Sequence, residues 1–235
     1  MENFFKKHLL HLLGDFTTEF IFMETYNDMT RSDAIKVYKE IRDTKLKFIG
    51  FKDIGLPLEK LKELHLMMKD DGRTTFLEVV SASEKETIRS TKVALELGVD
   101  YLIGGTYIES TLPLIKNTKI KYFPYVGKIV DHPCKLRGSI EEMVKDTEKV
   151  KEKGIPGINL LAYRYNGDVD KLMEKVSKVG LPMIVAGSID SFDRINKMKE
   201  LDIWAFTIGG AIFDKKFVSD GSLKDNINAV LKRIE

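Results

Sequence analysis

Short apolar runs alternate with amphipathic helical patterns eight times along this chain, and no other feature constrains its fold as strongly. The runs fall at residues 18–24, 46–52, 74–80, 100–104, 121–127, 156–161, 181–186 and 203–208. Between them lie stretches such as Ser32 to Ile41, where apolar residues recur at i, i+3, i+4 and i+7, the spacing of one helix face. Ser83 with Glu86, and Ser139 with Glu142, have the spacing of capping boxes at helix starts. Gly98, Gly154 and Gly180 stand where a helix must stop before the next run. A strand that is always followed by a helix predicts a parallel sheet, and eight such units with no extra domain predict closure into an α/β (β/α)8 TIM barrel. A flavodoxin-like open sheet, the alternative, needs fewer strands. The 235 residues, 43% of them hydrophobic, match one barrel core, so residues 1–235 are expected to form a single domain. Lys6 and Lys7 precede Leu9, Leu10, Leu12 and Leu13, but His8 and His11 interrupt the stretch and no small-residue cleavage site follows. An extra N-terminal helix covering one end of the barrel is the expectation.

Charge and cysteine content narrow the partners. Lys+Arg 38 and Asp+Glu 36 nearly cancel, which leaves no electrostatic footprint for nucleic acid. No run has the unbroken apolar length that spans a bilayer. Cys134 is the one cysteine, so no internal disulfide forms, no Cys/His cluster has zinc spacing, and a cytoplasmic location is expected. Barrels of this size often dimerise, and a homodimer is a further expectation, although no interface can be named from sequence.

In a (β/α)8 barrel the chemistry gathers at the C-terminal ends of the strands. Four expected strands carry a charge there: Glu24, Lys52, Glu78 and Lys128. Strand residues alternate between the barrel interior and the helices. Glu78 shares a face with Phe76 and Thr74, Lys52 with Gly50 and Phe48, and Glu24 with Phe22. A glutamate facing apolar helices is costly, so all four charges are expected to converge on the barrel mouth. Their alternative use is ion pairing, Glu24 with Lys52 and Glu78 with Lys128. Asn159 is expected to face inward from the sixth strand. Arg164 stands at the same rim, solvated or reaching a ligand anion. His132, beside Asp131 in the long loop after the fifth strand, is a candidate base or an exposed loop residue. Asp53 is expected to face the helices or to cap the next turn.

The last two strands each end in glycine. Val185-Ala186-Gly187-Ser188 and Ile208-Gly209-Gly210-Ala211 both lead into a helix. Loops at these two positions expose backbone N–H groups to phosphate, and glycine lets the backbone approach the anion. Gly187, Ser188, Gly209 and Gly210 are therefore the expected phosphate ligands. Lys52 and Glu78 would carry proton transfer next to a carbonyl, assisted by Glu24 and Lys128. Asn159, Arg164 and His132 would contact substrate. No metal or other cofactor is required, though Glu24 and Glu78 would share a Mg²⁺ if their carboxylates met.

The glycine pair resembles the phosphate-binding half of ribulose-phosphate-binding barrels, a group that includes the histidine- and tryptophan-pathway isomerases. Within it, Ile49-Gly50-Phe51-Lys52-Asp53 and Ile208-Gly209-Gly210-Ala211-Ile212 are similar to stretches of N-acetylmannosamine-6-phosphate 2-epimerases. That resemblance implies a phosphorylated ligand and a catalytic role for Lys52. The family also carries a glutamate in strand 7, where this chain has Ala186. The expected activity is that of a sugar-phosphate isomerase or epimerase. A carbon–carbon lyase of aldolase type comes second, and a non-catalytic phosphometabolite sensor is the alternative from another class.

Overall fold

A computed structural model describes residues 18–80 and 83–235. The expected N-terminal helix lies outside the described residues. Eight strands form one parallel sheet: β1 Glu19–Met23, β2 Phe48–Lys52, β3 Thr74–Val79, β4 Tyr101–Gly104, β5 Lys121–Phe123, β6 Ile158–Leu160, β7 Met183–Val185 and β8 Ala205–Ile208. Their order around the sheet is β6-β7-β8-β1-β2-β3-β4-β5. The remaining seam, between β5 and β6, is bridged at Tyr125 and Asn159, where the Asn159 N–H donates to the Pro124 carbonyl at 2.8 Å. The (β/α)8 barrel expected from the alternation is thus formed.

A helix follows each strand: α1 Ala34–Ile41, α2 Leu58–Asp70, α3 Glu84–Leu97, α4 Ile108–Ile115, α5 Ile140–Glu152, α6 Val169–Ser177, α7 Phe192–Glu200, then the short α8 Gly210–Phe213 and α9 Leu223–Ile234. Ser139 and Glu142 form a complete capping box at the start of α5, and the Ser83 side chain accepts from the Glu86 N–H at the start of α3. Each cap satisfies N–H groups that the first helical turn leaves without partners.

Side-chain alternation separates two layers of core. Ile21, Met23, Phe76, Tyr101, Ile103, Phe123, Ile184 and Ala205 fill the barrel interior, while Phe20, Phe22, Leu77, Val79 and Val185 pack outward with the helices. Trp204, just before β8, packs on Tyr101 and Phe123 with centroids 5.5 and 5.1 Å away, and Tyr101 stacks on Phe76 at 4.5 Å. These rings plug the N-terminal end of the barrel. Two short antiparallel hairpins rise at the opposite end, Thr25–Tyr26 with Met29–Thr30 after β1 and Lys128–Val130 with Lys135–Arg137 after β5.

Candidate active site

A cavity of about 300 Å³ opens at the C-terminal ends of the strands. Lys52 and Glu78 lie on its floor, and Gly187, Ser188, Gly209 and Gly210 line one wall. β2 and β3 run in register with Lys52 opposite Glu78, so both side chains leave the sheet on its inner face at the same height. The Lys52 ammonium stands 3.1 Å from Glu78 Oε2 and 3.0 Å from Asp28 Oδ1. Glu78 Oε1 accepts from the Tyr125 hydroxyl at 2.8 Å and from Asn159 Nδ2 at 3.3 Å. Lys52, Glu78 and Asn159 are all buried.

Asp28, Tyr125 and the Arg164 pairing carry no signal in the sequence. Asp28 comes from the β1 hairpin, which is fixed to β2 where the Thr30 hydroxyl donates to the Lys52 carbonyl and accepts from the Lys52 N–H, both at 2.7 Å. Arg164 reaches across from the turn after β6 and grips Asp28 bidentately, Nη1 to Oδ2 at 2.7 Å and Nη2 to Oδ1 at 3.0 Å. Burial pushes the Asp28 carboxyl up, but hydrogen bonds from Arg164 and the charge of Lys52 outweigh it and hold the group well below the usual carboxylate range. Asp28 is therefore an anion throughout the physiological pH range. Burial beside Glu78 pushes the Tyr125 phenol far up, so it remains a hydrogen-bond donor.

At two of the loop glycines the backbone is closely packed against neighbouring protein atoms. Gly187 has φ 81°, and a Cβ there would stand 2.7 Å from Arg164 Nε. A Cβ on Gly209 would stand 2.8 Å from the Thr25 carbonyl oxygen. Ser188 also has a positive φ, 58°, and its carbonyl accepts from Arg194 Nη1, which also pairs with Asp190 at 2.9 Å. Gly209 caps the short helix α8, whose first N–H groups have no partner within the helix.

Three expected site residues lie elsewhere. Glu24 shares the phase of Phe22, as expected, but that face looks at the helices and Glu24 does not line the cavity. It is fully buried, and neither carboxylate oxygen has a hydrogen-bond partner among the described residues. Burial, reinforced by Asp33, pushes its carboxyl well above the usual range. The cost expected of an outward glutamate is reduced by its remaining protonated. Lys128 is exposed because the strand ends at Phe123, with a single bridge at Tyr125 beyond it, and Lys128 instead opens the second hairpin. His132 is exposed in that hairpin's turn, beside an Asp131–Lys135 ion pair of 3.2 Å. The alternative pairings Glu24–Lys52 and Glu78–Lys128 are replaced by Lys52 with Asp28 and Glu78. Glu24 and Glu78, on opposite faces of the sheet, do not form the shared Mg²⁺ site. Asp53 does face the helices, accepting from Ser90 Oγ at 2.7 Å and pairing with Arg89 at 2.9 Å.

Glu24 yields a direct test. A group with a raised folded-state pKa contributes stability that is fully present below its unfolded value of 4.5 and is lost as pH rises toward the folded value. Glu24→Leu is expected to raise unfolding free energy at pH 7 by about 1–3 kcal/mol, with a smaller gain at pH 4. Urea titrations at the two pH values read this out, and an equal effect at both would contradict a buried, protonated Glu24.

The fold and site define the class: a (β/α)8 barrel with its polar cavity at the C-terminal face. No protein-family model matches the sequence, and no curated protein matches it. Solved structures do share the fold. The orotidine 5′-phosphate decarboxylase from Pyrococcus horikoshii OT3 superposes with a TM-score of 0.66 at 15% identity, over 92% of this chain and 98% of that one. A 4-hydroxy-2-oxoglutarate/2-dehydro-3-deoxyphosphogluconate aldolase gives 0.65 at 14%, over 94% and 96%. Monomers generated from the dimeric phosphoribosylanthranilate isomerase of Thermotoga maritima give 0.62 at 12%, over 92% and 98%. At these identities the likeness is one of fold alone, and it singles out no family. No described helix is long and apolar enough to cross a membrane.

Proposed function

We propose that the protein is an enzyme acting on a phosphorylated sugar or a similar small phosphometabolite by proton transfer next to a carbonyl, as an isomerase or epimerase. The observation that carries this reading is Lys52, held between Asp28 and Glu78 at 3.0 and 3.1 Å in the cavity whose wall is the two glycine loops. The phosphate would lie against Gly187, Ser188, Gly209 and Gly210. Glu78 would take the proton α to the carbonyl, and Lys52 would balance the charge that develops on the enolate oxygen. Tyr125 and Asn159, which donate to one Glu78 oxygen, leave the other beside Lys52 and aim the carboxylate. The names of the structural neighbours, a decarboxylase, an aldolase and an isomerase of phosphorylated compounds, support a phosphorylated ligand without favouring one reaction.

A Schiff-base lyase would require Lys52 to leave both carboxylates before attacking a carbonyl, which weighs against the aldolase reading. A non-catalytic sensor has no need of a buried lysine and two carboxylates at the barrel mouth. The test is a thermal-shift series with sugar phosphates, the unphosphorylated sugars and inorganic phosphate. A cognate sugar phosphate at about a hundredfold its Kd is expected to raise Tm by about 5–10 °C. If no phosphorylated compound exceeds inorganic phosphate, the reading fails.

A further inference from the structure

Asp28 receives more donors than a hairpin turn demands. Four bonds converge on its two oxygens: Arg164 Nη1 at 2.7 Å, Arg164 Nη2 at 3.0 Å, Lys52 Nζ at 3.0 Å and the Cys134 backbone N–H at 3.0 Å. A guanidinium fork, an ammonium and a backbone N–H arranged in this way make a carboxylate site. Its occupant is delivered by a turn in which two successive non-glycine residues, Asn27 and Asp28, have positive φ of 49° and 59°. Positive φ at both central positions is what a two-residue hairpin turn requires, and Asn and Asp are suited to it, so the turn presents the Asp28 carboxylate without strain.

We propose that Asp28 is a specificity-determining residue that fills this site with its own carboxylate, so that the cavity accepts phosphorylated ligands whose other end is uncharged and rejects phosphorylated acids. The proposal rests on the phosphometabolite reading and names the substrate class within it. The two cations on the floor, Lys52 and Arg164, are already matched by Asp28 and Glu78. A ligand carboxylate has to displace Asp28, which strands a buried charge, or else lie against Glu78, since the third cation lining the cavity, Lys216, follows α8 at the phosphate wall. A neutral carbonyl or hydroxyl meets no such obstacle. An ammonium has three donors, and Asp28 and Glu78 engage two of those on Lys52. Arg164 Nε, which has no acceptor among the described residues, stands against Gly187 and faces the phosphate wall.

Matched ligand pairs test the proposal. D-Glucose 6-phosphate is compared with 6-phospho-D-gluconate, and glycerol 3-phosphate with 3-phospho-D-glycerate, by calorimetry and thermal shift on the full chain and on Asp28→Asn. For the wild type, the acid of each pair is expected to bind about tenfold or more weakly than its neutral partner. Asp28→Asn keeps the shape but removes the counter-charge of Arg164, while Lys52 keeps Glu78, and is expected to reverse that order. Acids that bind the wild type as tightly as their partners, or an unchanged ratio in Asp28→Asn, overturn the proposal. A second arm needs no phosphorylated ligand: sodium acetate, against chloride at equal ionic strength, is expected to raise the Tm of Asp28→Ala but not of the wild type. Acetate stabilisation with no response to any sugar phosphate would uphold the carboxylate site and sink the phosphometabolite reading. No acetate effect on Asp28→Ala would overturn the site itself.

Discussion

Lys52→Met is expected to lower turnover of the stabilising sugar phosphate by about 10³-fold and to destabilise the fold at the same time. The substitution removes the one positive charge between Asp28 and Glu78, whose oxygens lie 3.0 and 3.1 Å from it. Without the ammonium, negative charge developing on a substrate oxygen has no counter-charge, and an effect of this size is ordinary for one positioned acid–base group. Breaking a buried ion pair by deleting one partner costs about 3–5 kcal/mol, because the remaining charge is left in a medium that solvates it poorly. Arg164 still compensates Asp28, so the lower end of that range is expected, with Glu78 bearing most of the loss. Steady-state kinetics and urea unfolding on the same preparations separate the two effects. Undiminished turnover would remove Lys52 from the mechanism, whatever the stability result.

Gly187→Val is expected to weaken sugar-phosphate binding by about a hundredfold or more and to cost about 1–3 kcal/mol of stability. Two independent causes act at this position. A β-branched residue is strained at φ 81°, and its Cβ would stand 2.7, 2.9 and 3.0 Å from Arg164 Nε, Cδ and Cγ. Moving Arg164 aside breaks its fork on Asp28, so the damage reaches from the phosphate wall to the floor of the cavity. Gly210→Ala is the contrasting variant, since a Cβ there meets only the Tyr26 ring at an ordinary 3.8 Å and the fold is expected to be kept. Calorimetric titration together with thermal melts distinguishes the two. Binding to Gly187→Val at wild-type strength would separate this loop from the anion site.

Much of the site was legible because it sits on regular strands. Alternation with Phe76 places Glu78 inside, and alternation with Gly50 places Lys52 beside it. Alternation does not show which face Glu24 takes. β1 is buried on both faces, so its apolar residues do not reveal which face is inner. The decision then rests on the cost of an outward carboxylate, and that cost presumes a charge that burial suppresses. Lys128 was misplaced by strand length, because the apolar run extends past Phe123 while the strand does not.

The repeat of strand and helix determined the barrel, since hydrophobic period and glycine stops are local properties that no distant contact needs to supply. It also determined which strand ends carry a lysine, a glutamate and glycine loops. Only the tertiary structure decided what holds them. Asp28 meets Cys134 across 106 residues and Arg164 across 136, and Tyr125 reaches Glu78 across 47. Hairpins and turns put them there, and their side chains meet only because barrel closure brings the ends of β1, β2, β3, β5 and β6 to one rim. A contact of that kind depends on the geometry of the closed sheet and leaves no period or spacing in the chain.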